Sequence, residues 1–93
     1  MKLYLVERCH VAEEGQYESM IVAATSEEVA RNTHPCEKDG IMTPRLRNSN
    51  WYYKIGTKFY KDKTWEAPKA LRVVEIGETD KYEETTVIMA AIS

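Results

Sequence analysis

The chain has 93 residues, 13 basic and 15 acidic side chains, a formal net charge of −2 and 43% hydrophobic residues. This length predicts a single domain, and the balance of charged and apolar residues excludes a disordered chain. The longest nearly apolar stretch, 85–92, is far too short to cross a bilayer, and the first residues lack the features of a signal peptide. We therefore expect a cytoplasmic protein, with Cys9 and Cys36 as reduced thiols rather than a disulfide framework.

The charges are distributed unevenly along the chain. Residues 1–36 carry a net charge of −3, residues 37–71 carry +4 and residues 72–93 carry −3. The basic middle third also holds both tryptophans. A bipolar surface of this kind favours oriented association with a charged partner.

The first elements read as a β-hairpin. Residues 2–9 place apolar side chains on both faces of a strand, as a central strand would. Residues 17–24 form a second β-prone run, and the polar stretch between the two runs contains Gly15.

A short helix follows the hairpin. Thr25-Ser26-Glu27-Glu28 has the form of a capping box with the threonine as the cap. The helix is predicted over Ser26 to Thr33, because Pro35 disfavours the helical conformation of the residue before it. Val29 and Ala30 are the expected inward-facing residues.

The rest of the sequence predicts a loop over residues 36–50, followed by two short strands within 51–63 that are separated by Gly56. It also predicts a second hairpin formed by 71–76 and 85–92. The fold class is therefore α+β, an antiparallel sheet of two hairpins with one short helix packed on one face, in the order β-β-α-[β-β]-β-β. Residues 1–93 form one domain, and residues 37–70 are a basic-aromatic elaboration of it.

Two close pairs of cysteine and histidine are the clearest hint of metal or nucleophilic chemistry. The candidates for a zinc site are Cys9, His10, His34 and Cys36, although their spacing does not match finger or ribbon patterns. A nucleophilic cysteine activated by His34 is a further alternative. A structural role for all four residues is the interpretation we favour, so we predict no enzyme, no metal site and no cofactor.

The basic-aromatic middle is the candidate binding segment. Basic residues from Arg45 to Lys69 interleave with aromatic residues from Trp51 to Trp65, a mixture that can stack bases and meet phosphates. The same residue types are enriched at protein-binding hot spots, and the rings could instead only fill the core. The predicted contact residues are Trp51, Tyr53, Lys54, Lys58, Lys61 and Trp65.

Several segments resemble a group of short bacteriophage and prophage proteins. They are Lys-Leu-Tyr-Leu-Val-Glu-Arg at 2–8, Ile-Val-Ala-Ala-Thr-Ser-Glu-Glu-Val-Ala-Arg at 21–31, His34-Pro35, Val-Val-Glu-Ile-Gly-Glu at 73–78 and Thr-Val-Ile-Met-Ala-Ala-Ile-Ser at 86–93. The resemblance covers both ends of the chain, and members of the group with assigned roles are often inhibitors of host defence, including anti-CRISPR proteins. It implies that the protein acts in the host cytoplasm by occupying a surface of a host complex.

The sequence thus predicts a non-enzymatic, phage-type inhibitor that binds a host defence protein or ribonucleoprotein complex by steric occlusion. The alternatives are a small nucleic-acid-binding module that uses residues 45–65, and a zinc-binding domain. No membrane partner is expected, and the oligomeric state is left open. An acidic face formed by Glu13, Glu14, Glu83 and Glu84 could instead mimic nucleic acid if both acidic connectors lie at one end of the sheet.

Overall fold

The computed structural model describes residues 1–38 and 43–93, which form two antiparallel sheets and one short α-helix. The α+β class is confirmed. The elements in chain order are β1 (Lys2–Arg8), β2 (Tyr17–Ala24), α1 (Glu27–Arg31), a 3₁₀ turn (Pro35–Lys38), β3 (Arg45–Arg47), β4 (Asn50–Ile55), β5 (Lys58–Lys61), a second 3₁₀ turn (Pro68–Ala70), β6 (Leu71–Glu78) and β7 (Thr86–Ile92).

The main sheet has the strand order β6-β1-β2-β7, and all of its neighbouring strands are antiparallel. The predicted hairpin of β1 and β2 is confirmed, and β1 is a central strand. The second predicted hairpin is wrong, because β6 and β7 lie at opposite edges of the sheet. The connector 79–85 has seven residues, which is longer than the usual hairpin loop and long enough to cross the two central strands.

Helix α1 is shorter than predicted. Ser26, rather than Thr25, is the N-cap, and its hydroxyl accepts a hydrogen bond from the Val29 backbone N–H at 3.2 Å. Ala30 is buried as expected, whereas Val29 is 36% exposed. The small alanine packs the five-residue helix closely against the main sheet, so the neighbouring valine is turned toward solvent.

One hydrophobic core joins the two sheets. It covers one face of the main sheet, where Tyr4, Val6 and Met20 are buried, and it includes both tryptophans. Trp51, on β4, and Trp65, in the segment after β5, therefore attach the second sheet to the main one. Among the described residues, no helix is both long and apolar enough to cross a membrane.

The second sheet, called the arm sheet here, has the strand order β3-β4-β5. Asn48 and Ser49 join β3 to β4 with φ angles of 51° and 65°, the conformation of a type I′ hairpin turn. Gly56, with φ 62°, begins the turn between β4 and β5. The two strands predicted within 51–63 are confirmed, whereas the predicted loop 36–50 contains β3 and a 3₁₀ turn, and its residues 39–42 lie outside the described residues.

Candidate functional site: the basic face of the arm sheet

The strand register divides the arm sheet into two faces of different character. Residues directly opposite each other on neighbouring strands share a face, and successive residues alternate between faces. Tyr52 is opposite both Arg45 and Lys61, and Lys54 is opposite Phe59. One side of the arm sheet, called the basic face here, is therefore formed by Arg45, Arg47, Tyr52, Lys54, Phe59 and Lys61.

Cations and rings are in contact on the basic face. The Arg47 guanidinium lies over the Phe59 ring, 4.0 Å from its centroid, and Lys54 Nζ lies 5.7 Å from the same centroid. Phe59 nonetheless remains 49% exposed. The face thus offers an accessible ring and a planar guanidinium next to charged groups, the combination on which an unstacked base can rest.

No carboxylate within residues 43–61 balances the positive charge of the basic face. Residues 43–61 contain five basic and no acidic side chains. Arg45 has one distant ion-pair partner, Glu37, at 3.9 Å, and its side chain is 79% exposed. The first carboxylate after the segment, Asp62, is buried and has other partners. The surface potential of this face is therefore positive.

The opposite face of the arm sheet is more apolar. It carries Trp51, Tyr53, Ile55, Lys58 and Tyr60. The rings of Tyr53 and Tyr60 stack with their centroids 5.6 Å apart. Tyr53 and Lys58 therefore lie on the side of the sheet away from Lys54 and Lys61, so the six predicted contact residues do not form one patch.

The expected surface position of the two indoles is corrected. Trp51 and Trp65 are each only 4% exposed. The Trp51 indole N–H donates to the Glu66 carbonyl at 2.9 Å, and its ring meets the His34 ring edge-on at 5.0 Å. Both tryptophans belong to the hydrophobic core, because burying their large apolar rings stabilises a small domain more than exposing them.

Sequence reasoning left out four residues of the basic face. Arg45 and Arg47 were predicted in a loop, whereas they lie on β3 and alternate with Leu46. Tyr52 and Phe59 were counted as aromatic residues but were not separated from their neighbours by face. The alternation of side chains along a strand was the signal that could have found them.

His34 and Asp62 form a buried polar pair beneath the arm sheet. His34 Nε2 donates to Asp62 Oδ2 at 2.7 Å, and His34 Nδ1 accepts from the Cys36 backbone N–H at 3.0 Å. Burial alone would raise the pKa of the Asp62 carboxyl, but hydrogen bonds from His34 and Thr64 outweigh it and hold that pKa below its ordinary value of 3.8. The pair is a structural connection between the segment that follows α1 and the end of β5.

The cysteine and histidine candidates do not converge on one site. Cys9 and His10 are exposed, whereas His34 is fully buried. Within residues 1–38 and 43–93, no three cysteine, histidine or acidic side chains are placed to hold a metal ion together. Both ring nitrogens of His34 are engaged in hydrogen bonds, so this ring cannot act as a base for Cys36 in this conformation.

The two acidic connectors are far apart. Glu13 and Glu14 lie between β1 and β2, at the end of the main sheet where β1 finishes. Glu83 and Glu84 lie between β6 and β7, at the end where β1 begins, because Lys2 pairs with Glu78. The acidic side chains therefore do not combine into one face that could mimic nucleic acid.

Comparison of the chain with protein-family models, curated proteins and solved structures finds no match. The resemblance to phage proteins therefore stays a prediction.

Proposed function

We propose that this protein is a non-enzymatic, phage-type inhibitor that docks through the basic face of the arm sheet onto the nucleic-acid part of a host nucleoprotein complex. It acts there by steric occlusion. One observation carries the proposal. Four cations and two rings lie on one face of the arm sheet, and residues 43–61 contain no carboxylate.

The chemistry of the basic face supports a nucleic-acid strand over an acidic protein surface. Phosphates attract the four cations without a fixed geometry, and exposed rings stack on bases of any sequence. Phe59 has this exposure, and the Arg47 guanidinium lies 4.0 Å from the centroid of its ring. An acidic protein could pair with the cations and pack on the rings, but it would need carboxylates at fixed positions, whereas the phosphates of a flexible strand can adjust to the cations.

Binding to a fluorescein-labelled single-stranded RNA tests the proposal, with fluorescence anisotropy as the readout. Four phosphate contacts predict that the logarithm of the association constant falls with the logarithm of salt concentration with a slope of roughly −3. The double variant Lys54→Glu/Lys61→Glu should lose most of the affinity and most of this slope.

The matched control is the double variant Lys58→Glu/Lys69→Glu. Both positions are exposed, and both double variants change the net charge by the same amount. Lys58 lies on the opposite face of the arm sheet, and Lys69 lies in the second 3₁₀ turn. Equal loss of affinity in the two double variants would contradict a docking role for the basic face.

The nucleic-acid-binding module is the second candidate function, and it uses the same surface. The two functions differ in what is captured from a host lysate. An inhibitor of a nucleoprotein complex should retain protein subunits that are released by nuclease treatment or by the Lys54→Glu/Lys61→Glu change. A simple nucleic-acid-binding module should retain nucleic acid without a defined set of proteins.

A further inference from the structure

The main sheet has a second face that the hydrophobic core does not cover. Leu3, Leu5, Ile21, Val74 and Met89 lie on this side, called the outer face here. Among the described residues, the core and the apolar side chains packed against it come from other positions. Met89 is 54% exposed. Antiparallel sheets with one solvated face normally carry polar residues there, so an apolar outer face indicates a contact surface.

The register arranges the outer face in rows across the four strands. The central row consists of Val74, Leu5, Ile21 and Met89. The next row consists of Gly77, Leu3, Ala23 and Thr86, and the row on the other side consists of Arg72, Glu7, Ser19 and Ala91. Two adjacent rows therefore contain no charged side chain, and the third holds the Arg72–Glu7 ion pair at 3.8 Å.

We propose that a second copy of this chain packs on the outer face, with the two-fold axis parallel to the strands and midway between β1 and β2. This inference does not depend on the proposed function. The axis places β1 of one copy over β2 of the other, so that Leu5 faces Ile21 and Leu3 lies above Ala23, which is already fully buried within its own copy. Leu5 and Ile21, two branched side chains that are half-buried in one copy, therefore form the central contact between the two sheets.

The same axis makes the outer edges of the two faces complementary. Val74 on β6 faces Met89 on β7 of the other copy, and each of these contacts occurs twice. Arg72 and Glu7 face Ala91 and Ser19, so no like charges meet and the ion pair remains at the rim. A charged partner would find no opposite charge in the two uncharged rows. The outer face of a second copy brings no charge to these rows and so needs no opposite charge there.

The size of the outer face fits a reversible dimer. Four strands about 4.8 Å apart and seven residues of about 3.3 Å each give a projected area of roughly 440 Å² per copy. Two copies therefore bury roughly 900 Å², which is above most crystal contacts and below the standard size of a stable interface. We expect a monomer–dimer equilibrium with a dissociation constant on the order of 10–100 μM.

Sedimentation velocity and equilibrium over a range of protein concentrations test the dimer. The mass should rise with concentration from 10.8 kDa toward twice that value. Met89→Lys and Val74→Glu should each weaken dimerisation by about 100-fold or more, because each places two unpaired charges in the apolar interface. Val11→Lys, a matched change at a residue that is 94% exposed in a loop, should leave the equilibrium unchanged.

Mixing the two variants tests the position of the axis. A heterodimer of Met89→Lys with Val74→Glu contains one lysine opposite one glutamate, and one unaltered Val74–Met89 contact. The mixture should therefore dimerise within about 10-fold of the original protein, although each variant alone is monomeric. Failure of the mixture to dimerise would contradict the proposed axis.

A measurement on the unaltered protein covers the case in which a variant does not fold. A mixed sample of isotope-labelled and unlabelled chains should give intermolecular nuclear Overhauser effects between the Met89 and Val74 methyl groups. A protein that stays monomeric at millimolar concentration, or a dimer whose intermolecular contacts involve other residues, would overturn the proposal.

Discussion

Replacing Asp62 by alanine should remove a large part of the stability of this domain. The Asp62 carboxylate accepts hydrogen bonds from His34 Nε2 at 2.7 Å, from the Thr64 backbone N–H at 3.2 Å and from the Thr64 hydroxyl at 2.8 Å. Its side chain is only 6% exposed, and that of His34 is fully buried. Water therefore cannot readily take the place of the lost carboxylate.

The size of the effect follows from these contacts. Leaving the buried His34 N–H without an acceptor costs about 1–3 kcal/mol, and losing the bonds to Thr64 costs about 0.5–1.5 kcal/mol more. We expect Asp62→Ala to lower the free energy of unfolding by about 2–4 kcal/mol. A domain of this length has roughly 5–14 kcal/mol in total.

Urea denaturation followed by tryptophan fluorescence measures this change, because Trp51 lies against His34. The control is Asp62→Asn, which keeps the shape of the side chain and one acceptor oxygen, and which should cost about 1 kcal/mol. Equal stability of the Asp62→Ala and Asp62→Asn variants would contradict a stabilising role for the His34–Asp62 pair.

The pH dependence of stability provides an independent check of the same pair. The pKa of Asp62 is lower in the folded protein than its ordinary value of 3.8, so the folded state favours the ionised carboxyl. The contribution of Asp62 is therefore present above that ordinary value and is lost as the pH falls through the lower, folded pKa. Asp62→Asn, which cannot titrate, should lose less stability than the original protein as the pH falls from about 5 to about 2.

Three further substitutions test the local structure, each by urea denaturation. Ser26→Ala should cost about 1 kcal/mol by removing the helix cap, and an unchanged free energy of unfolding would contradict the capping role. Gly56→Val should cost about 1 kcal/mol or more, because the φ angle of Gly56 is 62°. The control Thr57→Val in the same turn should be nearly neutral, and equal effects of the two substitutions would refute the turn geometry. Arg8→Met should cost about 2–4 kcal/mol, since its 6% exposed side chain donates to backbone carbonyls of two segments and to Glu66; a loss below about 1 kcal/mol would count against this role.

Local sequence signals were sufficient for β1, β2 and the start of α1. The apolar residues on both faces of 2–9 and the β-prone run 17–24 predicted β1 and β2, and the capping box at 25–28 predicted the start of α1 within one residue, although with Thr25 rather than Ser26 as the cap. These elements depend on neighbours in sequence. The positions of β6 and β7 depend instead on pairing with β1 and β2, and a β-prone pattern does not specify its partner strand.

The candidate site was predicted as a segment but not as a surface. Composition located the cations and rings between residues 45 and 65, yet it treated Trp51, Tyr53 and Lys54 as one group. Trp51 and Tyr53 share one face of β4, while Lys54 lies on the other. The register of the arm sheet, which the sequence alone did not provide, separates the residues that fill the core from those that can meet a partner.

Protection of lysines from acetylation gives the most direct test of the basic face as the docking surface. The unaltered protein is treated briefly with acetic anhydride, with and without a single-stranded RNA, and the modified positions are measured by mass spectrometry. Lys54, Lys58 and Lys61 are all exposed, so all three should react in the absence of RNA. We predict that RNA slows the modification of Lys54 and Lys61 several-fold and leaves Lys58 unchanged, whereas equal protection of all three, or protection of Lys58 alone, would contradict the account.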